Sequence, residues 1–561
     1  MNKLRIVFLL LFLLGAGIRA VDLWRPVDGT VRESWRECDI AAVARNFHHE
    51  GMNILYPRID WRGDGPGFAE MEFPIYPWTI AVLYKTFGFH EEIGRVLSYG
   101  FSLASMLVFI KLVRYLLPPA GAIGALLFLV LSPLAVRISN GLQPEGLMFL
   151  CYITAAYAFI RWIDEQRPRY YWMALGSTAL AILAKANAAH IGLFFAAVLL
   201  TEKGFGELES GRVVIFAILS LLPGALWYHH AHNLYLTYGN SLGVSNEYHW
   251  IGWDFFTNPR FIVGIGKLET IYVWMPAGLV VAAIGVVFRW RRREVRLGVY
   301  WIASIIIYYV ITSRTSSEDW ATYYHLVSVP PAAMLMGSGL EVLKAVSERF
   351  NSRKPGWIMV TAVFILAFLG GLLVRSKVFA ASALVIFTIF VLWTSFSQTH
   401  GKQSPGMVKE KRSSGTISFG GFFLACILAF ATFLYQARII YWDVMPNHMQ
   451  GKFECAKNFK PHIPENTLIA ASGGARNDED GYPVAYNASY FFYWLDRKGF
   501  NVCREDQSVE KLRLFATKGA RFFVGEKSEM DRMPGFESDA RNSFKVLAEC
   551  KDVILFDLGR R

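Results

Sequence analysis

The chain has 561 residues, 54% of them hydrophobic and 18% charged, with a formal net charge of +12. Soluble domains carry roughly 25% charged residues, so the bilayer rather than water is the expected solvent. The basic residues fall in short loops between apolar runs and not on one face, which argues against nucleic acid as a partner and for membrane topology.

From the N-terminus, Lys3 and Arg5 precede an apolar run that also describes a signal peptide. The following Val21-Asp22-Leu23-Trp24 offers no small-residue cleavage site, so a retained first helix is expected. Runs near the ~20 apolar residues a hydrocarbon core requires then recur. They predict thirteen spans near 5–21, 92–113, 120–136, 145–162, 171–185, 188–201, 213–231, 270–288, 297–313, 325–343, 357–374, 378–396 and 417–437. With a cytoplasmic N-terminus, Arg161/Arg167/Arg169, Arg289/Arg291/Arg292/Arg293/Arg296, Lys344/Arg349/Arg353/Lys354 and Lys402/Lys409/Lys411/Arg412 all fall inside, as the positive-inside rule requires.

Two outer segments, Asp22 to Glu91 and His232 to Glu269, are too long for turns and are rich in Trp, Tyr and Pro, so they should be ordered. In the first, residues 39–47 (DIAAVARNF) and 75–87 read as helices along the membrane interface. After Arg438 the apolar runs shrink to strand length at 467–471, 521–524 and 553–556, with helical segments near 450–459, 486–496 and 508–517. The expected fold is a polytopic α-helical membrane protein with a small C-terminal α/β soluble domain. Its expected units are a catalytic membrane module over 1–343, further spans over 344–437, and a periplasmic domain over 438–561. Among six cysteines none has metal spacing; Cys151 and Cys426 lie in spans, and a disulfide is expected within the set Cys455, Cys503 and Cys550 on the outer side.

Candidate functional groups gather on that outer side. Asp39 opens the 39–47 helix and is read either as its N-cap or as a carboxylate base facing a cavity. Glu145 sits where RISNGLQPEG (137–146) enters the fourth span, either as a dipole contact or as a functional acid. Lys185, in LAILAKANAAHIG, either snorkels to the outer headgroups or binds an anionic lipid phosphate. His229, His230 and His232 (WYHHAHN) close the seventh span; a divalent metal ion there would need His229 and His232 to converge with a carboxylate such as Glu72. The sequon Asn487-Ala488-Ser489 is given no role.

CDIAAVARNF around Asp39, EFPIYPWTIAVLYKTFG (72–88), the QPEG turn, LAKANAA and TYYHLVSVPPAAMLMG (322–337, with His325) follow one another in an order that resembles the GT-C superfamily of lipid-dependent glycosyltransferases. The resemblance covers roughly the first 340 residues and is to the branch of protein O-mannosyltransferases and the lipid A aminoarabinose transferase. It implies that Asp39 is the catalytic base, Glu145 the second acid, and Lys185 the group near the lipid phosphate, with Arg137 and Arg314 as further phosphate donors and Glu72 and His325 as substrate-site candidates. Where the aminoarabinose branch reads Glu-Lys-Pro, this chain has Glu72-Phe73-Pro74, which removes a cation. The implied reaction is inverting transfer of a sugar from a polyprenyl-phosphate donor to a lipid, glycan or protein acceptor, at the outer face of a bacterial inner membrane. The competing readings are a transporter or flippase of a lipid-linked saccharide, for which no internal repeat is detectable, and a sensor, for which thirteen spans are far too many.

Overall fold

A computed structural model describes residues 3–29, 34–243, 250–350, 449–477, 479, 481 and 487–559. The spans expected at 357–374, 378–396 and 417–437 lie outside the described residues. The N-terminal module comprises α1 (Lys3–Ala20), α2 (Ser34–Glu50), α3 (Ile75–Phe87), α4 (Glu92–Leu116), α5 (Pro119–Leu131), α6 (Pro133–Ile138), α7 (Glu145–Glu165), α8 (Pro168–Ala184) and α9 (Ile191–Glu202). It continues through α10 (Gly211–Tyr238), α11 (Asp254–Thr257), α12 (Arg260–Leu268), α13 (Pro276–Arg289), α14 (Arg293–Ile311), α15 (Ser313–Ser316) and α16 (Val329–Phe350). Among the described residues five helices are long and apolar enough to cross a membrane, or six if the bent pair at 260–289 counts as one.

Prolines begin several of these helices, because the first turn leaves its N–H groups unbonded in any case. The span expected at 120–136 is broken at Ser132-Pro133: Pro133 has no N–H to offer the Leu129 carbonyl, and the buried Arg19 guanidinium donates to Leu129 O and Val130 O at 3.0 Å each. The span expected at 270–288 is likewise bent, by 90°, where a π-helical turn (Glu269–Trp274) ends at Met275. Small residues let α16 approach α5 and α13 closely. A Cβ on Gly337 would collide with the Gly121 carbonyl, and one on Gly339 with that of Val281.

The segments after α7, after α9 and before α14 meet at one end of the bundle. Arg293 at the start of α14 pairs with Asp164 at the end of α7 and with Glu202 at the end of α9, each at 2.6 Å. Asp39, Glu72, Glu145 and Lys185 lie at the other end of those helices.

The C-terminal domain is a five-stranded sheet of order β2-β1-β3-β5-β4, from β1 (Leu468–Ser472), β2 (Lys498–Val502), β3 (Ala520–Glu526), β4 (Lys545–Glu549) and β5 (Val553–Asp557). The first three run parallel, and β5 is antiparallel to both β3 and β4. Helices α17 (Met449–Phe459) and α18 (Ser489–Leu495) cover one sheet face; α19 (Val509–Thr517) and, after the one-turn α20 (Lys527–Met530), α21 (Phe536–Ser543) cover the other. Cys455 is bonded to Cys550 across 95 residues, while Cys503 is free and buried.

The face carrying Ile469, Phe522, Val524 and Leu555 does not end in solvent. It forms one continuous core with Cys38, Val43 and Phe47 of α2 and with Tyr76 and Ile80 of α3. Arg45 donates to Tyr493 O at 3.0 Å, Trp494 Nε1 to Val27 O at 2.7 Å, and the Tyr493 hydroxyl to Glu91 at 2.9 Å. The domain therefore lies on the same side of the module as the loop bearing Asp39.

Candidate active site

The first correction concerns α2. It does not start at Asp39 and lie along an interface; it runs from Ser34 to Glu50 and is buried around most of its circumference, between the helical module and the C-terminal domain. Asp39 is thus inside the helix, and the N-cap reading fails. Polar contacts add to that apolar core in holding α2. Glu37 and Arg95 of α4 form a buried bidentate pair at 2.9 Å, Leu142 N donates to Glu37 at 3.0 Å, and Arg45 pairs with Asp60 at 2.6 Å.

The Asp39 carboxylate is 4% exposed, and its Oδ1 accepts a 2.9 Å hydrogen bond from the Trp61 indole N–H. Burial pushes its pKa up to about 7, opposed by the Trp61 bond and by the Arg36 charge and assisted by the Asp60 charge. Ser489, in the first turn of α18, is the C-terminal domain's residue at this carboxylate.

One helical turn before Asp39, Arg36 enters a buried ion cluster. Its Nη2 lies 3.0 Å from Glu72 Oε1 and 3.1 Å from Glu145 Oε1. Lys185, in the break between α8 and the short 3-10 turn Ala186–His190, places Nζ 2.5 Å from Glu145 Oε1 and 3.4 Å from Glu72 Oε1. Tyr323 forms the floor: the Arg36 guanidinium lies 4.7 Å and the Lys185 ammonium 4.4 Å from its ring centroid. Despite the cost of burial, the Arg36 and Lys185 charges hold the Glu72 pKa down to about 2. Glu145 is 0% exposed, and its second oxygen, Oε2, has no hydrogen-bond partner among the described residues. Two cations and two carboxylates make the cluster formally neutral, with one acceptor oxygen unused.

The remaining expectations divide. Arg137 bonds to Thr322, one residue along the chain from the Tyr323 floor, and lies 5.2 Å over the Tyr272 ring. Arg314 is drawn elsewhere, into a bidentate pair with Asp254 at 2.7 and 3.1 Å. His325 is fully enclosed: Nδ1 is 2.7 Å from Glu269 Oε1 and Nε2 is 2.8 Å from Ser316 O, so it braces the bent helix pair and offers no nitrogen to a substrate.

Glu72, His229 and His232 do not come together as metal ligands. Glu72 Oε1 is occupied by the two cations, His232 faces Glu70 at 3.6 Å, and His229 contacts Asn233 at 3.4 Å. Among the described residues no three His, Cys, Asp or Glu side chains form a metal-ligating group. These residues do not fit a divalent cation, and no step is derived through one.

Two site residues escaped the sequence reading. Arg36 lies three residues before Asp39 on the same helix, and that i, i+3 spacing was the available signal. Trp61 arrives from a loop 22 residues on and carries no local signal.

Residues 66–228 match the family model described as dolichyl-phosphate-mannose-protein mannosyltransferase. No curated protein sequence matches the chain. The fold is similar to that of ArnT from Cupriavidus metallidurans, in the structure bound to undecaprenyl phosphate, with a TM-score of 0.60 and 12% identity over 99% of this chain and 97% of that one. The apo form of the same protein gives 0.61 and 13% over 98% and 97%. The apo oligosaccharyltransferase of Archaeoglobus fulgidus gives 0.53 and 11%, over 95% of this chain and 70% of that one. Family model and shared fold support the resemblance to GT-C superfamily glycosyltransferases, and the ArnT likeness extends it, as fold, through the C-terminal domain.

Proposed function

We propose that this chain, built on the GT-C glycosyltransferase fold, transfers a sugar from a polyprenyl-phosphate donor to an acceptor hydroxyl at the periplasmic face of a bacterial inner membrane, with inversion. The thirteen-span topology belongs to the same reading. The observation that carries it is the placement of Asp39 and Arg36 one turn apart on α2, so that a buried carboxylate with a pKa near 7 adjoins a pair of buried cations.

The chemistry needs those two halves. Asp39 takes the proton of the acceptor hydroxyl as its oxygen attacks the anomeric carbon; the bond from that carbon to the phosphate oxygen breaks, and the electron pair leaves with polyprenyl phosphate. A base poised near the operating pH suits the first event. Lys185 and Arg36 suit the second, because the leaving phosphate gains one negative charge as the bond breaks. Donor binding competes with Glu72 and Glu145 for the same two cations, so the phosphate exchanges one set of anionic partners for another. The unused Glu145 Oε2 is then free to accept from a donor-sugar hydroxyl.

The test reconstitutes the purified chain with a panel of polyprenyl-phosphate sugars and measures sugar release for wild type and Asp39→Asn. Turnover by wild type and loss in the variant is the expected result. Equal turnover by both overturns the base assignment. Movement of lipid-linked sugar across the bilayer without its consumption replaces the transferase by a flippase.

A further inference from the structure

The C-terminal domain grips the loop that carries Trp61. In the strand order β2-β1-β3-β5-β4, β2 is outermost, and an outer strand presents unpaired N–H and C=O groups. At Gly499 both groups are taken up by the loop: Gly499 N donates to Asp60 O at 3.1 Å, and Gly499 O accepts from Gly63 N at 2.7 Å. One residue of β2 therefore holds both ends of segment 60–63. Its grip is made by backbone alone, since a Cβ at 499 would stand 1.8 Å from the Ile469 carbonyl oxygen of β1.

Asp60, the residue before Trp61, is 2% exposed and is held from both sides of the domain boundary. Arg45 of α2 donates to its Oδ2 at 2.6 Å and Asn46 to its Oδ1 at 2.8 Å, while Lys498 of β2 lies 3.8 Å from Oδ1. The same Arg45 guanidinium crosses to the C-terminal domain. It reaches Tyr493 O and Asp496 Oδ1 at 3.0 Å each and lies 4.7 Å from the Tyr493 ring centroid. Such charge-assisted bonds are short and directional, whereas the apolar core shared with α2 resists separation without fixing direction. Between these anchors sits half-buried Trp61, whose indole donates to Asp39 Oδ1 at 2.9 Å. A hydrogen bond weakens steeply as its donor turns away, so the position of the loop sets how firmly the carboxylate is held.

We infer that Arg45 is a positioning residue of the transfer site, and that the C-terminal domain, through Arg45 and the Gly499 edge of β2, holds Trp61 against Asp39. The inference rests on the proposed role of Asp39 as the base. The other groups acting on that carboxylate are Arg36 and Cys38 on α2, Asp60 on the loop and Ser489 on α18. Removing the Trp61 donor favours the protonated acid, so loosening the loop should raise the pH at which Asp39 becomes a base.

Infrared difference spectroscopy against pH reads the protonated carboxyl band of Asp39 on the purified full chain without donor, the band being the one lost in Asp39→Asn. Arg45→Gln should raise its midpoint by roughly half a unit, as should Trp61→Phe. The double variant should sit no higher than Trp61→Phe alone, because Arg45 acts through the indole; a direct effect of its charge would add instead. If Arg45→Gln does not fold, Gly63→Ala decides, since it changes no charge. The φ of +63° and the Phe500 ring 3.1 Å from the added Cβ push this half-buried loop off β2. It too should raise the midpoint, and again not in the Trp61→Phe background. A midpoint that moves in neither variant, shifts that add, or no band lost in Asp39→Asn overturns the inference. Sugar release measured in parallel keeps the two readings apart. Midpoints that move as expected with no turnover of any polyprenyl-phosphate sugar leave the positioning role standing and remove the transferase; turnover with an unmoved midpoint does the reverse.

Discussion

Asp39 and Glu72 are two carboxylates of the same candidate site, close to the same guanidinium, and they titrate in opposite directions. Asp39 accepts from a neutral partner, the Trp61 indole N–H, at 2.9 Å, and burial raises its pKa to about 7. Glu72 touches Arg36 and Lys185 directly, and their charges override the same burial and lower it to about 2. Partner chemistry and not depth decides which carboxylate keeps its charge. A pair of acids driven apart in this way marks a division of labour, one group able to take a proton at neutral pH and the other to hold cations in place.

The largest expected effect breaks the first half. Asp39→Asn keeps an acceptor oxygen for Trp61 and removes only the base, so kcat for sugar transfer should fall by about 10²–10⁴-fold with KM little changed. An equal loss through KM alone would make Asp39 a binding residue.

Breaking the second half should show in stability. Lys185→Met leaves Glu145 buried with Arg36 as its remaining cation. Removing one partner of a buried pair costs about 3–5 kcal/mol. The double change Lys185→Met with Glu145→Gln should restore most of it, read as melting temperature in one detergent. If the two changes simply add, the cluster is not a coupled unit.

Much of this pocket was legible in the sequence, through topology rather than through local pattern. Asp39, Glu145 and Lys185 are far apart in the chain, and only the alternation of spans puts them on one side. The ion pairs at the opposite end, Arg293 with Asp164 and Glu202, keep that alternation consistent. Contacts between distant segments were not legible. Nothing local in SWRECDIAAVARNF announces a helix buried by Glu37–Arg95 and Arg45–Asp60 pairs, because its burial depends on partners 58 and 15 residues away. In the C-terminal domain, β2 was missed because Gly499 and Asn501 interrupt its apolar run, and β4 because it is a half-exposed edge strand.

The two carboxylates also predict opposite pH dependences of stability. The folded pKa of Asp39, about 7, lies above the ordinary 3.8, so the fold favours its proton. Its contribution is full below the ordinary value and is lost as pH rises through 7. Glu72, at about 2, lies below the ordinary 4.5, so its contribution is present above that value and is lost as pH falls toward 2. Asp39→Asn should therefore stabilise the protein, little at pH 4 and by up to about 4 kcal/mol at pH 8. Glu72→Gln should destabilise it at pH 7. Melting temperatures across that range check both signs, and a stabilised but inactive Asp39→Asn would show that the charge is kept for chemistry at the expense of the fold.

The smallest effect sharpens the comparison most, because it moves one carboxylate slightly toward the extreme. The Trp61 indole bond favours the ionised form of Asp39, so removing it must raise the pKa further. Trp61→Phe keeps an aromatic ring in place and deletes only the donor, a net hydrogen bond of about 1 kcal/mol. The acidic limb of the pH–rate profile should move up by roughly half to one unit. Transfer at pH 7 should then fall several-fold, while the rate at pH 9 approaches that of wild type. A uniform loss at every pH would assign Trp61 to packing alone.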